Sequence, residues 1–278
     1  MRWECLLFFD TIKYGIVFLK ALTANERSSN FPHILKRILY ERKNSMRLPT
    51  PEVDYRKFRF SKLMSKEFSH LLLALYWPLF GISFSLVENI IPKEKCHPVH
   101  CALDDVIPFC EIFLLPYLWW FIYMAGLFIY QLFYDVDAFR RSTKFIIIAY
   151  TVTFIVYIAY PTCQNLRPSD FERDNILTRI MESYYAYDTN TNVCPSMHVI
   201  GSVAAMVGGL HTKRLQKPAW RIYFVVVAIL ISISTVFVKQ HSALDIFYAI
   251  PLCLVTYLIC FGDIFIKPKK KNKQLINA

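Results

Sequence analysis

The stretch KQHSALDIFYAIPLCLV, Lys239–Val255, opens on a cation, a histidine and a carboxylate and then becomes apolar. A second apolar run, ending STVFV at Val238, lies immediately before it. Ionisable groups at the rim of a hydrocarbon phase are costly and are kept there for a function, so the nature of the flanking runs decides the reading. The 278 residues are 55% hydrophobic and 16% aromatic, with a mean hydropathy of +0.33. Six segments, roughly 68–91, 107–133, 145–161, 197–211, 220–238 and 242–266, approach the ~20 apolar residues that cross a ~30 Å hydrocarbon core. The expected fold is all-α, a polytopic membrane bundle of six transmembrane helices over residues 67–266. A basic segment, 1–66, precedes it and a basic tail, 267–278, follows.

The net charge of +11 raises the question of a nucleic-acid partner, which the distribution of charge answers. Residues 1–69, the second and fourth inter-span loops and the tail hold 26 of the 32 Lys and Arg; the alternate loops hold six. By the positive-inside rule both termini are cytoplasmic, and the first, third and fifth loops face outside or a lumen. The charge is therefore topological. No nucleic-acid partner is expected, and KPKKKNK, Lys267–Lys273, suits anionic lipid head groups.

The opening MRWECLLFFDTIKYGIVFLKAL resembles a signal peptide in hydropathy, but Glu4, Asp10 and Lys13 interrupt it and no small-residue cleavage site follows. An interfacial helix is expected there, followed by a polar, basic lead-in over residues 23–66. Four of the eight cysteines, Cys96, Cys101, Cys163 and Cys194, fall in or beside the outward loops, where disulfides and free thiols are both open. Cys96 and Cys101 are the nearest pair. No CxxC spacing suggests a metal site, and no cofactor is implied.

Three polar clusters fall at the outward ends of the spans. In YPTCQNLRPSD, Tyr160–Asp170, Arg167 offers a planar fork of donors suited to phosphate, although a loop arginine is commonly just a solvated charge. In NVCPSMHVIG, Asn192–Gly201, Pro195 and Ser196 start a helix whose free N–H groups favour an anion, and His198 falls in its first turn, placed to exchange a proton. In KQHSALD, His241 and Asp245 are four residues apart, on one helical face. The carboxylate can then orient one ring nitrogen and leave the other as nucleophile, with Lys239 as a neighbouring cation. HxxxD alone is a weak signal. The chain carries a second copy, HCALD, His100–Asp104, expected to be a solvated loop.

The ordered set RP, PSxH, HxxxD resembles the type 2 phosphatidic acid phosphatase (PAP2) superfamily, a six-helix membrane family whose motifs lie at the outer helix ends. The resemblance implies that His241 attacks phosphorus, that Asp245 orients it and that His198 protonates the leaving oxygen. Arg167 and Ser196 match phosphate-binding positions. Tyr160 and Thr235 stand where the family has a lysine and an arginine, so Lys239 is the expected substitute cation. These departures are similar to those of inositol phosphorylceramide synthase and related lipid phosphotransferases. The implied activity is hydrolysis of a lipid phosphate monoester or diphosphate through a phosphohistidine. Transfer of a phospho-headgroup to an alcohol is the alternative, and a non-catalytic lipid or phosphate transporter is the alternative of another class.

Overall fold

The first apolar segment folds as two nearly continuous helices, α1 (Leu71–Ala74) and α2 (Tyr76–Ile90). The computed structural model describes residues 50–90 and 92–262. The expected interfacial helix, most of the basic lead-in and the basic tail lie outside them. After a short helix, α3 (Ala102–Val106), come α4 (Leu114–Tyr134), α5 (Val136–Ala159), α6 (Ile176–Tyr187), α7 (Met197–His211), α8 (Pro218–Phe237) and α9 (Ala243–Phe261). Two dipeptide strands, β1 (His97–Pro98) and β2 (Thr162–Cys163), pair in parallel. This is an all-α polytopic membrane architecture. Among the described residues five helical segments are, by length and composition, able to cross a membrane: Leu71–Glu88, Glu111–Tyr134, Val136–Ala159, Pro218–Phe237 and Ala243–Phe261. The apolar α7 has 15 residues, about 22 Å at ~1.5 Å per residue, and is shorter than a ~30 Å core.

Boundaries follow from capping. Asp135 accepts the N–H of Ala138 to start α5 and, through its other oxygen, the N–H of Lys213, joining two loops at the end of the bundle away from the motifs. Helix α5 begins nine residues before the apolar stretch expected from hydropathy, because VDAFRRSTK is helix-competent although polar. Its arginines are used within the bundle: Arg140 donates to Ser69 Oγ and Arg141 to the Cys260 carbonyl. Pro218 occupies the first turn of α8, where its missing N–H costs nothing.

Helix α7 is the hub, packing against α4, α5, α8 and α9. Between helices already surrounded by hydrocarbon, association depends on close packing rather than on hydrophobic transfer, and small residues allow it. This accounts for GSVAAMVGG. A Cβ at Gly201 would lie 2.7 Å from Tyr150 Oη and 2.9 Å from Trp120 Nε1, and one at Gly209 would lie 2.6 Å from the Phe224 ring. Outward faces of the surrounding helices carry Ile155, Ile158, Ile229, Leu254 and Leu258, all exposed, as lipid-facing positions require.

Candidate active site

All three motifs meet at one end of the bundle. Ser242 caps α9 by accepting the Leu244 N–H, while Asp245 reaches back to the Ser242 N–H at 3.1 Å. The same Asp245 Oδ2 pairs with His241 Nδ1 at 2.9 Å, and both residues are buried. One carboxylate thus closes the helix start and fixes the imidazole, directing Nε2 away from the carboxylate.

Helix α7 begins beside it. Ser196 is fully buried, its Oγ accepts the Val199 N–H, and its own N–H donates to the Asp245 carbonyl, so the second motif is tied to the third. The peptide bond between Cys194 and Pro195 is cis. His198 projects from the first turn of α7 with its ring centroid 5.7 Å from that of His241. Tyr117 stacks on it at 4.6 Å and Trp120 leans on it at 4.7 Å, both from α4. These aromatic faces hold the ring in place, and its buried Nε2 has no protein hydrogen-bond partner.

Arg167 lies half-buried against the Tyr185 ring, 4.5 Å from its centroid. Its Nη1 donates to the Tyr185 carbonyl, and its Nη2 to the carbonyls of Asp188 and Thr189 and to Gln240 Oε1. Its buried Nε has no partner within the protein. A guanidinium has five N–H donors, and this anchorage engages those of Nη1 and Nη2 while the Nε donor stays unpaired. Burial pushes the Arg167 pKa down, opposed by the charges of Asp188 and the nearby tyrosines; an arginine remains a cation throughout the accessible range.

Lys239 is placed differently from its expected role. Its Nζ donates to the carbonyls of Asp104 and Ile107, at 2.8 and 2.5 Å, and not toward Arg167. Burial lowers its pKa, with Asp104 and Asp105 opposing. Tyr160, at the other departure from the family pattern, stacks flat on His97 at 4.1 Å. Thr235 is buried, and its carbonyl accepts the N–H groups of Gln240 and His241, folding the α8–α9 connection back onto α8.

The twin motif needs correcting. His100 pairs with Asp105 at the surface, as a loop histidine would. Asp104 is only 2% exposed and accepts from Ser242 Oγ and the N–H groups of Ala243 and Cys101, so it is not solvated.

Other participants lacked a charge pattern to mark them. Gln164, fully buried, donates to the Lys239 carbonyl, and Gln240 bridges Arg167 to Asp188 Oδ2. Glu88, at the end of α2, accepts from Thr189, Thr191 and Asn192 just before the second motif. Uncharged amides beside RP and HxxxD were the visible signal for the glutamines. Nothing local marked Glu88. Of the aromatic residues in the third loop, Tyr184 packs on Tyr117, Tyr185 donates to the Val238 carbonyl and Tyr187 is exposed. Cys101, Cys163 and Cys194 carry free thiols, so Cys101 is not bridged to Cys96. Among the described residues no group of three or more His, Cys, Asp or Glu is arranged to hold a metal ion.

The ordering of these side chains along the chain coincides with a family match. Residues 141–267 match the family model of the PAP2 superfamily. The PAP2 segment contains Arg167, Ser196, His198, His241 and Asp245, and it leaves out α2, α4 and the loop bearing Asp104. No curated protein and no solved structure gives a match to the chain. The match spans 127 of the 278 residues, and at a coarse level it likens this membrane protein to phosphatase- and phosphotransferase-type lipid enzymes.

Proposed function

We propose that the protein is an integral membrane lipid phosphatase that hydrolyses a phosphate monoester or diphosphate of a lipid through a phosphohistidine, with its site on the outer or lumenal face. The observation that carries this reading is the pairing of His241 with Asp245 at 2.9 Å, with the His198 ring centroid 5.7 Å from that of His241. A tetrahedral phosphoryl group between the two rings meets a nucleophile on one side and a proton donor on the other.

In the first half-reaction His241 Nε2 forms a bond to phosphorus while the bond to the lipid oxygen breaks, and His198 delivers a proton to that oxygen. Asp245 stabilises the positive charge that His241 develops. In the second half-reaction His198 takes a proton from water, the water oxygen bonds to phosphorus, and the phosphorus–nitrogen bond breaks to return His241. The Nε edge of Arg167 and the first-turn N–H groups of α7 supply donors for the non-transferring oxygens. Lys239 supports the loop rather than the phosphate in this reading.

Transfer to an acceptor alcohol shares the first half-reaction, and Asp188 favours keeping it as a second reading. Asp188 accepts from Gln240, the residue next to His241, and burial raises its carboxyl against the opposing His241 and Arg167, so a second carboxyl besides Asp245 stands near the reacting pair. Such a group suits deprotonation of a bulkier acceptor.

Purified protein should be presented with phosphatidic acid, a polyprenyl diphosphate, phosphatidylglycerol phosphate and phosphoinositol lipids, measuring both free phosphate and new phospholipids. Phosphate release that survives a chelator and disappears in His241→Ala supports hydrolysis. Appearance of a transferred headgroup selects the second reading, and binding without turnover selects a transporter.

A further inference from the structure

We infer that Asp104, from the loop between the first two spans, is a positioning residue that holds the start of α9 so that Asp245 presents His241 in a single orientation. The inference rests on the proposed role of His241. It assigns a part in the site to a residue 37 positions before the PAP2 segment begins.

The five-residue connection Val238–Ser242 has no regular structure of its own, yet it carries the proposed nucleophile. It is fixed from two sides. On one side Gln164 binds the Lys239 carbonyl and Tyr185 the Val238 carbonyl, both at 2.7–2.8 Å. The first loop provides the other side. Asp104 Oδ1 accepts the Ala243 N–H at 2.8 Å, and Oδ2 accepts Ser242 Oγ at 2.5 Å and the Cys101 N–H at 2.9 Å. Ser242 caps α9 and Ala243 is its first residue, so both belong to the turn that contains Asp245.

The connection also reaches back. Lys239 adopts a left-handed backbone, φ 53°, a conformation a non-glycine residue holds only when its surroundings fix it. What fixes it is its own ammonium, bound to the carbonyls of Asp104 and Ile107. The Cys110 N–H completes the contact by donating to the Phe237 carbonyl at the end of α8. Asp104 therefore takes part through both its side chain and its backbone, and the fully buried Ser242 links its carboxylate to the carboxylate of Asp245. Burial alone would raise the Asp104 carboxyl, but its O–H and N–H donors outweigh this and hold it below the ordinary value, keeping it an acceptor.

The test compares Asp104→Ala, Asp104→Asn, Ser242→Ala and the surface control Asp105→Asn in the full-length protein in lipid nanodiscs. Three readouts are taken: kcat and KM on the lipid phosphate that the parent turns over, amide hydrogen exchange across residues 242–245, and the His241 ring tautomer by 15N NMR. The expected result for Asp104→Ala is a kcat lower by about 10- to 100-fold, the scale of one lost charge-assisted hydrogen bond, with KM within about twofold. Exchange should accelerate over residues 242–245 alone and the tautomer should become mixed. Asp104→Asn, which keeps the acceptor for Ala243, recovers part of the loss and serves if the alanine variant does not fold. Asp105→Asn should match the parent.

Unchanged kcat in Asp104→Ala, or exchange that rises throughout the bundle with kcat and KM falling together, would overturn the inference. If the parent turns over none of the lipid phosphates, the phosphatase reading fails instead. Exchange and tautomer then decide the positioning role: a change confined to residues 242–245 with a mixed tautomer supports it, and parent-like values reject it.

Discussion

Gln164 Nε2 donates to the carbonyl of Lys239 at 2.8 Å, so one bond between buried groups joins the segment bearing Arg167 to the segment bearing His241. Gln164 also accepts the Leu166 N–H, at 2.6 Å. Replacement by Leu leaves both backbone groups without partners in a buried setting, at about 1–3 kcal/mol each. Gln164→Leu is expected to lower the melting temperature and reduce turnover, and Gln164→Glu, which keeps the acceptor for Leu166 but buries a carboxylate against the Lys239 carbonyl, should lose at least as much stability at neutral pH. Thermal unfolding of both variants in the same detergent checks the order.

The His198 ring is held by stacking rather than by a hydrogen bond, and its proposed work is to protonate a poor leaving group. His198→Ala should therefore lower turnover of a lipid phosphate by roughly 10²–10⁴-fold. An aryl phosphate, whose leaving group departs without a proton, should still phosphorylate His241 and give a burst followed by slow release. A variant that gives no burst on the aryl phosphate would show that His198 is not the acid.

Arg167 satisfies four acceptors with two of its nitrogens, and its third, Nε, is buried without a partner in the protein and is the proposed phosphate donor. A lysine supplies a point charge and cannot span these positions. Arg167→Lys is expected to reduce kcat/KM by about 10- to 100-fold, from loss of roughly 1.5–3 kcal/mol of charged hydrogen bonding. Wild-type activity in Arg167→Lys would separate the arginine from substrate binding.

Burial raises the Asp188 carboxyl above its ordinary value of 3.8, despite His241 and Arg167. The folded state then holds the proton more tightly than the unfolded state, so stability falls as pH rises from about 4 through the raised pKa and then levels. Asp188→Asn removes this slope while keeping an acceptor for Gln240. Its melting temperature should gain on the parent as pH increases from 4 to 7. A parent that instead gains on the variant would show that the interactions with His241 and Arg167 outweigh burial.

The glycines of α7 provide a packing test. Gly201→Val puts its side chain against Tyr150 and Trp120 and should cost about 1–3 kcal/mol, with loss of activity because Trp120 also supports His198. At Gly126 nothing lies within 4 Å of an added Cβ, so Gly126→Ala should be neutral or stabilising by up to ~1 kcal/mol.

Much of the fold was legible because a bilayer restricts the solutions: an apolar run of sufficient length must be helical to satisfy its own backbone. The apolar cores of the five long helical segments were visible this way, as was the small-residue helix at the hub. The polar first turns of α5 were not, since hydropathy registers lipid contact rather than helix. Within the site, His241 and Asp245 were readable as a pair because four residues make one helical turn. Bringing them together with His198 was also expected, from the motif order.

Sequence by itself determined the periodicities and the local pairs: the Pro195–Ser196 start of α7, the His241–Asp245 spacing, the small-residue run along α7. Tertiary structure decided the partners across long separations. It turned Lys239 from a neighbouring cation into an anchor on the first loop, and Asp104 from an apparently spare carboxylate into a buried acceptor for a helix start 138 residues away from it in sequence. The reason is physical. A helical turn makes neighbours of residues at fixed offsets, and this can be counted along a chain, whereas a buried hydrogen bond between loops depends on how whole helices pack and leaves no period to read.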